Sequence, residues 1–319
     1  AGVRVRVKQV KYTQEASDFG ALGDLMDRAI DARGDFDIEI LHTTPDEYAR
    51  LMTPGRYHIG QFYWETDKIP ESFTLALNSV DEIWTGSRAN ELAMISSGVT
   101  TPIYIFPQAS EVEREWPEPY LMPDFDGYTF YSIFEWIDRK NPLALIKAYY
   151  EEFSAEDNVG LVIKTYFRNF TLQSKRKIRN EIEALKYSLG DRDYPPVFLY
   201  LDLMDRRQIM RFHRTCDCFV SAHRGEGWGI PQVEAALSGH PVISTGYGGV
   251  HEYFEHEKTA IMPSFTMERV SGMAHSQHWY TIDQKWANVS ITELRAAMRW
   301  AYENQAEAKK RGQAARRLV

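Results

Sequence analysis

The chain is predicted to be an α/β protein of two domains, each built on a largely parallel sheet with helices on its faces. Short apolar, strand-length runs alternate with helix-length stretches along most of its 319 residues, as expected of such sheets. The length exceeds what one hydrophobic core usually organises, so two domains of about 100 to 200 residues each are expected. The alternation lapses once, between 107 and 127, where residues 111–127 hold three prolines and six acidic residues in 17 positions. Proline removes a backbone donor and disfavours helix just before itself, so this stretch is the expected linker. The domains are accordingly placed at 1–125 and 126–290, with a C-terminal helix over 291–319.

Val3-Arg-Val-Arg-Val-Lys-Gln-Val10 alternates apolar and polar residues and reads as a strand. A helix over 18–33 follows, ended by Gly34, then a strand over 36–41. The pattern continues with strands at 58–63, 82–85 and 102–106, and helices at 70–78 and 87–96. Past the linker, strands are expected at 128–134, 160–165, 197–201, 217–222 and 241–245. Helices are expected at 141–153, 171–189 and 205–214, with another starting near Val250 and a helical tail from Thr292 to Leu318. Ligands of such sheets bind outside the carboxyl ends of the strands, so two facing domains leave a cleft there.

Hydrophobic residues at 44% and charged residues at 26% are ordinary for a globular protein and speak against disorder. A formal charge of −8 disfavours a broad nucleic-acid surface, which needs many Lys and Arg against phosphates. The two cysteines, Cys216 and Cys218, exclude a disulfide framework and are expected as small buried hydrophobes on one side of a strand. The N-terminal stretch lacks the apolar block of a signal peptide and no run of 18 apolar residues occurs, so a cytoplasmic protein is expected. The basic stretch Lys175-Arg-Lys-Ile-Arg179 leaves peripheral contact with an anionic lipid surface open, although a solvated helix face is the simpler reading.

The most informative segment runs from Ser221 to Ser244: a strand, a glycine loop, a short helix and a second strand. Pro231 suits the start of the helix and Gly239 the position after its end. Gly227, Trp228 and Gly229 form the turn, whose free N–H groups and helix dipole suit an anion. Glu226 precedes the turn and Glu234 is expected in the helix's opening turn, bracketing the loop. Carboxylates only accept hydrogen bonds, so two beside an anion site suit hydroxyls such as those of a sugar and a ribose. A second glycine turn, Thr245-Gly-Tyr-Gly-Gly-Val-His-Glu252, follows the next strand.

Glu226 to Glu234, followed by Ala-Ala-Leu-Ser-Gly-His-Pro-Val-Ile-Ser and Gly-Gly-Val-His-Glu, closely resembles the donor-binding signature of retaining GT-B glycosyltransferases of family 4. Arg214-Thr-Cys-Asp-Cys-Phe-Val-Ser-Ala-His223 fits as well, with Asp217 at the family's usual acidic position. The likeness is strong over 128–260, fair over 60–110 and thin elsewhere. It implies two Rossmann-like domains facing a cleft and a C-terminal helix packing back toward the first domain, which departs from the family in being shortened. It also implies that Glu226 contacts the transferred sugar and Glu234 the ribose. Trp228 to Ile230 would lie near the distal phosphate or sugar, with His223, Gly248 and Gly249 completing the donor site.

A departing diphosphate needs preorganised cations or N–H donors. Ser132-Ile-Phe-Glu-Trp-Ile-Asp-Arg-Lys-Asn-Pro142 resembles the family segment that grips it. Lys140 matches the family's lysine, but Phe134 and Glu135 stand where its arginine is usual. Arg139 or Arg168 is expected to substitute, and Lys164 is a further cation. No metal constellation stands out; Asp191-Arg-Asp193 reads as a solvated turn and the histidines lack zinc spacing. Neither metal nor other cofactor is therefore expected, in line with the GT-B resemblance. In the first domain, Ile59-Gly-Gln-Phe-Tyr-Trp-Glu-Thr-Asp-Lys-Ile-Pro70 resembles a Trp-Glu-Thr segment of a subset of the family, making Trp64, Glu65 and Asp67 acceptor-side candidates. The usual early glycine loop is missing; Tyr12 to Gly20 stands in its place.

The resemblance implies a metal-independent hexosyltransferase taking UDP- or GDP-linked sugar to a hydroxyl on a glycan, lipid-linked or small acceptor. A noncatalytic nucleotide-sugar or glycan-binding module and a GT-B nucleotide-sugar epimerase are the alternatives. Base choice is expected to lie in backbone contacts around Tyr200 to Met204.

Overall fold

The structure, a computed structural model, describes residues 4–8, 23–30, 34–109, 117–119, 125–273, 276 and 278–319. It contains two parallel sheets. The first comprises β1 (Ile38–His42), β2 (Tyr57–Gln61), β3 (Glu82–Thr85) and β4 (Ile103–Ile105), ordered as in the chain. Their pairing in register, Ile40 with Ile59 and Ile83 with Ile103, leaves α2 (Tyr48–Leu51), α3 (Glu71–Leu77) and α4 (Arg88–Ser96) on the crossover connections, with α1 (Gly23–Ile30) preceding β1. Phe62, Trp64, Phe73, Ile83 and Met94 form its core. Ser87 caps α4 by accepting from the Asn90 N–H, and Asn90 in turn bonds both the N–H and the carbonyl of Trp64. The segment after β2 is thereby fixed to α4.

The strand expected over Val3 to Val10 is not paired into this sheet over its described part, 4–8; Val7 N–H donates instead to Ala29 O at 2.9 Å. The Tyr12 to Gly20 stretch and most of the expected linker lie outside the described residues.

The second sheet draws on β5 (Tyr128–Glu135), β6 (Val159–Tyr166), β7 (Val197–Tyr200), β8 (Cys218–Ser221) and β9 (Val242–Ser244), all parallel, in the order β7-β6-β5-β8-β9. The chain runs outward from β5 to β7 and then returns to start again beside β5, so the order reverses between β5 and β8. At such a switch point the loops diverge and leave a crevice. On one face α5 (Pro142–Glu152) and α6 (Leu172–Leu189) cover Phe130, Leu161 and Ile163. The other face carries α7 (Arg206–Met210), α8 (Phe212–Thr215) and α9 (Ile230–Leu237) over Tyr131, Val162 and Phe219. Asp217 pins β8 to β5 by accepting from the N–H and hydroxyl of Thr129 at 2.7 and 2.8 Å. Both cysteines are free and buried. They face opposite layers rather than one, because Cys216 precedes β8 and its side chain joins the α7–α9 side while Cys218 joins the other.

Three features differ from the sequence reading. No long helix starts at Val250; a short 3-10 turn spans Gly249–Glu252. An unforeseen antiparallel ribbon, β10 (Phe265–Arg269) with β11 (Lys285–Val289), follows. Finally, the tail forms α10 (Ile291–Glu303) and α11 (Gln305–Leu318), which pack on α5 and α9 of the second sheet, not back toward the first domain. Apolar burial of Leu294, Met298 and Ala301 in the second sheet's core sets that placement. Arg299 reinforces it, bonding Glu152 Oε1 at 2.9 Å and Asp157 Oδ1 at 2.8 Å. The segment that does reach the first sheet lies between β10 and β11. Tyr280 stacks on Trp64 with ring centroids 4.8 Å apart, and Gln284 accepts from the Thr66 hydroxyl at 3.1 Å. Asp67 and Lys285 exchange two bonds, at 3.0 and 2.6 Å.

Candidate functional site

The loop from β8 to α9 meets the first sheet at the carboxyl ends of its strands. A Cβ added at Gly225 would stand 1.9 Å from the carbonyl oxygen of Glu65, so the two backbones touch there. The second glycine turn lies against the first: Gly249 N–H donates to Glu226 O at 2.8 Å, and Gly248, at φ +88°, brings its Cα so near that a Cβ would sit 2.4 Å from the same oxygen. Only glycine combines that conformation with that approach. α9 begins at Ile230, one residue earlier than expected, so Pro231 is its second residue and Glu234 falls beyond the opening turn. Among the described residues the N–H groups of Gly227, Trp228, Gly229 and Ile230 have no acceptor, which is the anion-binding feature read from the glycines. Tyr253 holds the loop from below, donating to Trp228 O at 2.6 Å.

Glu226 is buried, 7% exposed, and faces two cations. Lys140 Nζ lies 2.5 Å from Oε1 and Arg139 Nη1 3.4 Å from Oε2. Both cations come from the turn after β5, which is held to the glycine segment by Arg224 N–H donating to Arg139 O at 2.7 Å. Burial alone would push the Glu226 carboxyl up, but Lys140 and Arg139 outweigh it and hold it down to about 2. Burial and the neighbouring Arg139 lower Lys140, with Glu226 opposing. For Arg139, burial works against its charge, but Glu65, then Tyr280 and Glu226, outweigh it, and its pKa is raised. Arg139 Nη2 lies 3.4 Å from Glu65 Oε1, and the Tyr280 hydroxyl donates to Glu65 Oε2 at 2.7 Å. Five polar side chains from four chain segments thus form one network across the two sheets.

Glu234 is held separately. Arg206 Nη1 lies 2.6 Å from its Oε1, and His213 Nε2 lies 3.8 Å from Oε2. The Tyr131 hydroxyl lies 2.7 Å from His213 Nδ1, which orients the ring with Nε2 toward the carboxylate. Burial raises the Glu234 carboxyl, but His213 and Arg206 together bring it below its usual range.

His223 is fully buried, its Nε2 3.2 Å from Ser244 Oγ. Burial, aided by Lys140 and Arg139 and opposed by Glu226, lowers it to about 4. A group depressed from 6.5 to about 4 takes its proton in the unfolded chain first. Stability is therefore full above about pH 6.5 and falls as pH drops toward 4, by about 3 kcal/mol. In the His223→Asn protein the loss of melting temperature between pH 7 and pH 4 should be visibly smaller. An unchanged pH dependence would count against this.

The other predicted residues are distributed as follows. Lys164 is 4% exposed and donates to Asp202 O at 2.9 Å; it supports the loop after β7 rather than joining Glu226. Burial lowers its pKa. Trp64 is 4% exposed and its ring is core, with the indole N–H bonded to Thr66 and Lys68, so it offers no face to a sugar. Asp67 is engaged with Lys285. Arg168 lies over the Phe167 ring on another side of the β5 turn. Sequence reasoning missed Arg206, His213 and Tyr280. Arg206 follows an Asp205 capping box with Gln208, a readable helix start, whereas nothing local marks the other two. Among the described residues no group of three or more His, Cys, Asp or Glu is arranged to hold a metal ion, and no helix is long and apolar enough to cross a membrane.

Comparison with known proteins agrees with this architecture. The family model described as glycosyl transferases group 1 matches residues 130–270, the second sheet and its site loops. No curated protein sequence matches the chain. Among solved structures, S. aureus TarM, in a complex with fondaparinux, α-GlcNAc-glycerol and UDP, is 15% identical with a TM-score of 0.63, covering 86% of this chain and 50% of its own. Sucrose-phosphate synthase from Thermosynechococcus elongatus is 15% identical with a TM-score of 0.62, covering 84% of this chain and 64% of its own. Anabaena HepE, in complex with UDP and glucose, is 14% identical with a TM-score of 0.62, covering 94% of this chain and 78% of its own. The chain spans about half the length of TarM. The shared feature is the fold: two Rossmann-like, parallel-sheet domains in the GT-B arrangement.

Proposed function

We propose that the protein is a retaining, metal-independent glycosyltransferase of family 4 that moves a hexose-type sugar from a UDP- or GDP-linked donor to a hydroxyl of a glycan, lipid-linked or small acceptor. The observation that carries this reading is the buried Glu226 carboxylate held by Lys140 and Arg139 beside a glycine loop with unspent N–H groups. In the bound state the donor diphosphate takes over as counter-charge to Lys140 and Arg139. Glu226, released from them, accepts from the sugar hydroxyls. Glu234, steadied by Arg206 and His213, accepts from the ribose hydroxyls, and the loop at Trp228 to Ile230, with His223, Gly248 and Gly249 behind it, meets the distal phosphate or sugar.

The bond from the anomeric carbon to the phosphate oxygen breaks as the acceptor oxygen bonds to the same face of that carbon. The acceptor proton passes to the departing phosphate oxygen, so no protein nucleophile is consumed. Buried cations favour the charge that develops on that oxygen. Glu65, on the first-sheet side of the network, stands where an acceptor would enter.

Nucleotide release should be measured with UDP-, GDP- and ADP-linked sugars, with and without hydroxyl acceptors, and the anomeric configuration of the product read by NMR. Expected is release from one donor class, an acceptor-dependent product and retained configuration. No release and no donor binding would sink the proposal. Donor binding without any turnover would favour a noncatalytic module, and an altered sugar without acceptor an epimerase.

A further inference from the structure

A cavity of about 490 Å³ opens at the carboxyl ends of β5 and β6, on the side of the 138–140 turn away from Glu226. That is within the roughly 300–1,000 Å³ typical of small-ligand sites. The turn has two functions by position: Arg139 and Lys140 reach Glu226, whereas Asp138 and Asn141 line the cavity. Among the described residues its wall carries three carboxylates, Glu135, Asp138 and Glu181, and three cations, Arg168, Lys177 and Arg224. The signs cancel. A phosphate or a cationic ligand would meet as much repulsion as attraction.

Part of this set is already engaged, since Lys177 pairs with Glu181, and Arg224 with Glu268 at 3.7 Å. Among the described residues, the carboxylates of Glu135 and Asp138 make no hydrogen bond or ion pair, and the Arg168 guanidinium only overlies the Phe167 ring at 5.6 Å. Asn141 is 6% exposed and its Nδ2 has no partner. A buried amide donor left unpaired is costly and calls for a ligand or water. Arg168 is also held at φ +56°, a sparsely populated conformation for a side-chain-bearing residue. Gly272 closes the wall against Asp138 so tightly that a Cβ would lie 2.5 Å from its carboxyl carbon.

Acceptor-only carboxylates, a guanidinium and an amide donor, with no net charge, match an uncharged polyhydroxylated ring, whose hydroxyls both donate and accept. We propose that this cavity is a saccharide subsite, separate from the nucleotide site, that holds a sugar unit of a neutral glycan. Its purpose rests on the transferase reading, as a hold on the acceptor chain; its binding chemistry does not.

The test is calorimetric titration of the full chain with maltotriose, cellotriose and chitotriose, in the absence of nucleotide. At least one should bind, and Glu135→Gln and Arg168→Ala should each weaken it by about five- to ten-fold. UDP or GDP affinity should be unchanged in Glu135→Gln. No binding of any of the three, or equal affinity in the unaltered protein and both variants, would overturn the assignment. Saccharide binding that follows these variants in a protein that binds no nucleotide sugar supports the subsite and removes the transferase reading instead.

Discussion

Glu226→Gln should lower turnover by about 10²- to 10³-fold while leaving nucleotide affinity unchanged or tighter. The substitution keeps shape and one acceptor oxygen but removes the negative charge that Lys140 and Arg139 now face at 2.5 and 3.4 Å. On the proposed reading that carboxylate competes with a donor diphosphate for the same two cations, so its removal is expected to cost the sugar contact but not the phosphate contact. Turnover and nucleotide affinity, measured by product formation and by calorimetry, separate these effects. Equal losses in both would show that Glu226 serves nucleotide binding or folding and not the sugar.

Arg139→Met should be the most destabilising single change at the site, by about 3–5 kcal/mol. It leaves the partly buried Glu65 without its cation and the buried Glu226 with Lys140 alone, and also removes the 2.9 Å bond to Gly225 O. Breaking one member of a buried ion network costs far more than replacing the set, because the surviving charges stay desolvated. Adding Glu65→Gln to Arg139→Met should therefore restore part of the loss, a coupling of about 1 kcal/mol or more. Urea-unfolding midpoints of the two single variants and the pair measure it. Additive losses would mean that Arg139 and Glu65 do not act together.

The second sheet was legible because its signals are local. Pro142 and Pro231 mark helix starts, Gly239 and Gly190 mark ends, and strand β6 is buried almost throughout, with the apolar run Leu161 to Ile163 at its centre. Glu226 and Lys140 were legible for the same reason, each fixed at a strand end by its own segment. What could not be read were partnerships between segments distant in the chain. Tyr280 comes to Glu65 across 215 residues, carried by a ribbon whose first strand is largely exposed and whose second buries Trp286, Ala287 and Val289 without a regular apolar alternation. Trp64 was ambiguous for a related reason. An aromatic beside two acids suits a sugar platform or a core, and the packing of Phe62, Phe73 and Tyr280 around it decides for the core. The tail helices were recognised as helices, but their partners depended on which surface buried Met298 and Ala301.

The excursion between β10 and β11 gives the molecule a mechanical property. Gln284 and Lys285, where the chain enters β11 of the ribbon, bond Thr66 and Asp67 in the loop after β2. The glycine loop and the second glycine turn are tied to the first domain as well, Gly225 touching the Glu65 carbonyl and Arg88 N–H donating to Glu252 Oε1 at 2.6 Å. A rotation of one sheet against the other must therefore stretch bonds at the ribbon, at the glycine loop or at the second turn, and the three attachments together resist a change of spacing between Glu65 and the Glu226 cluster.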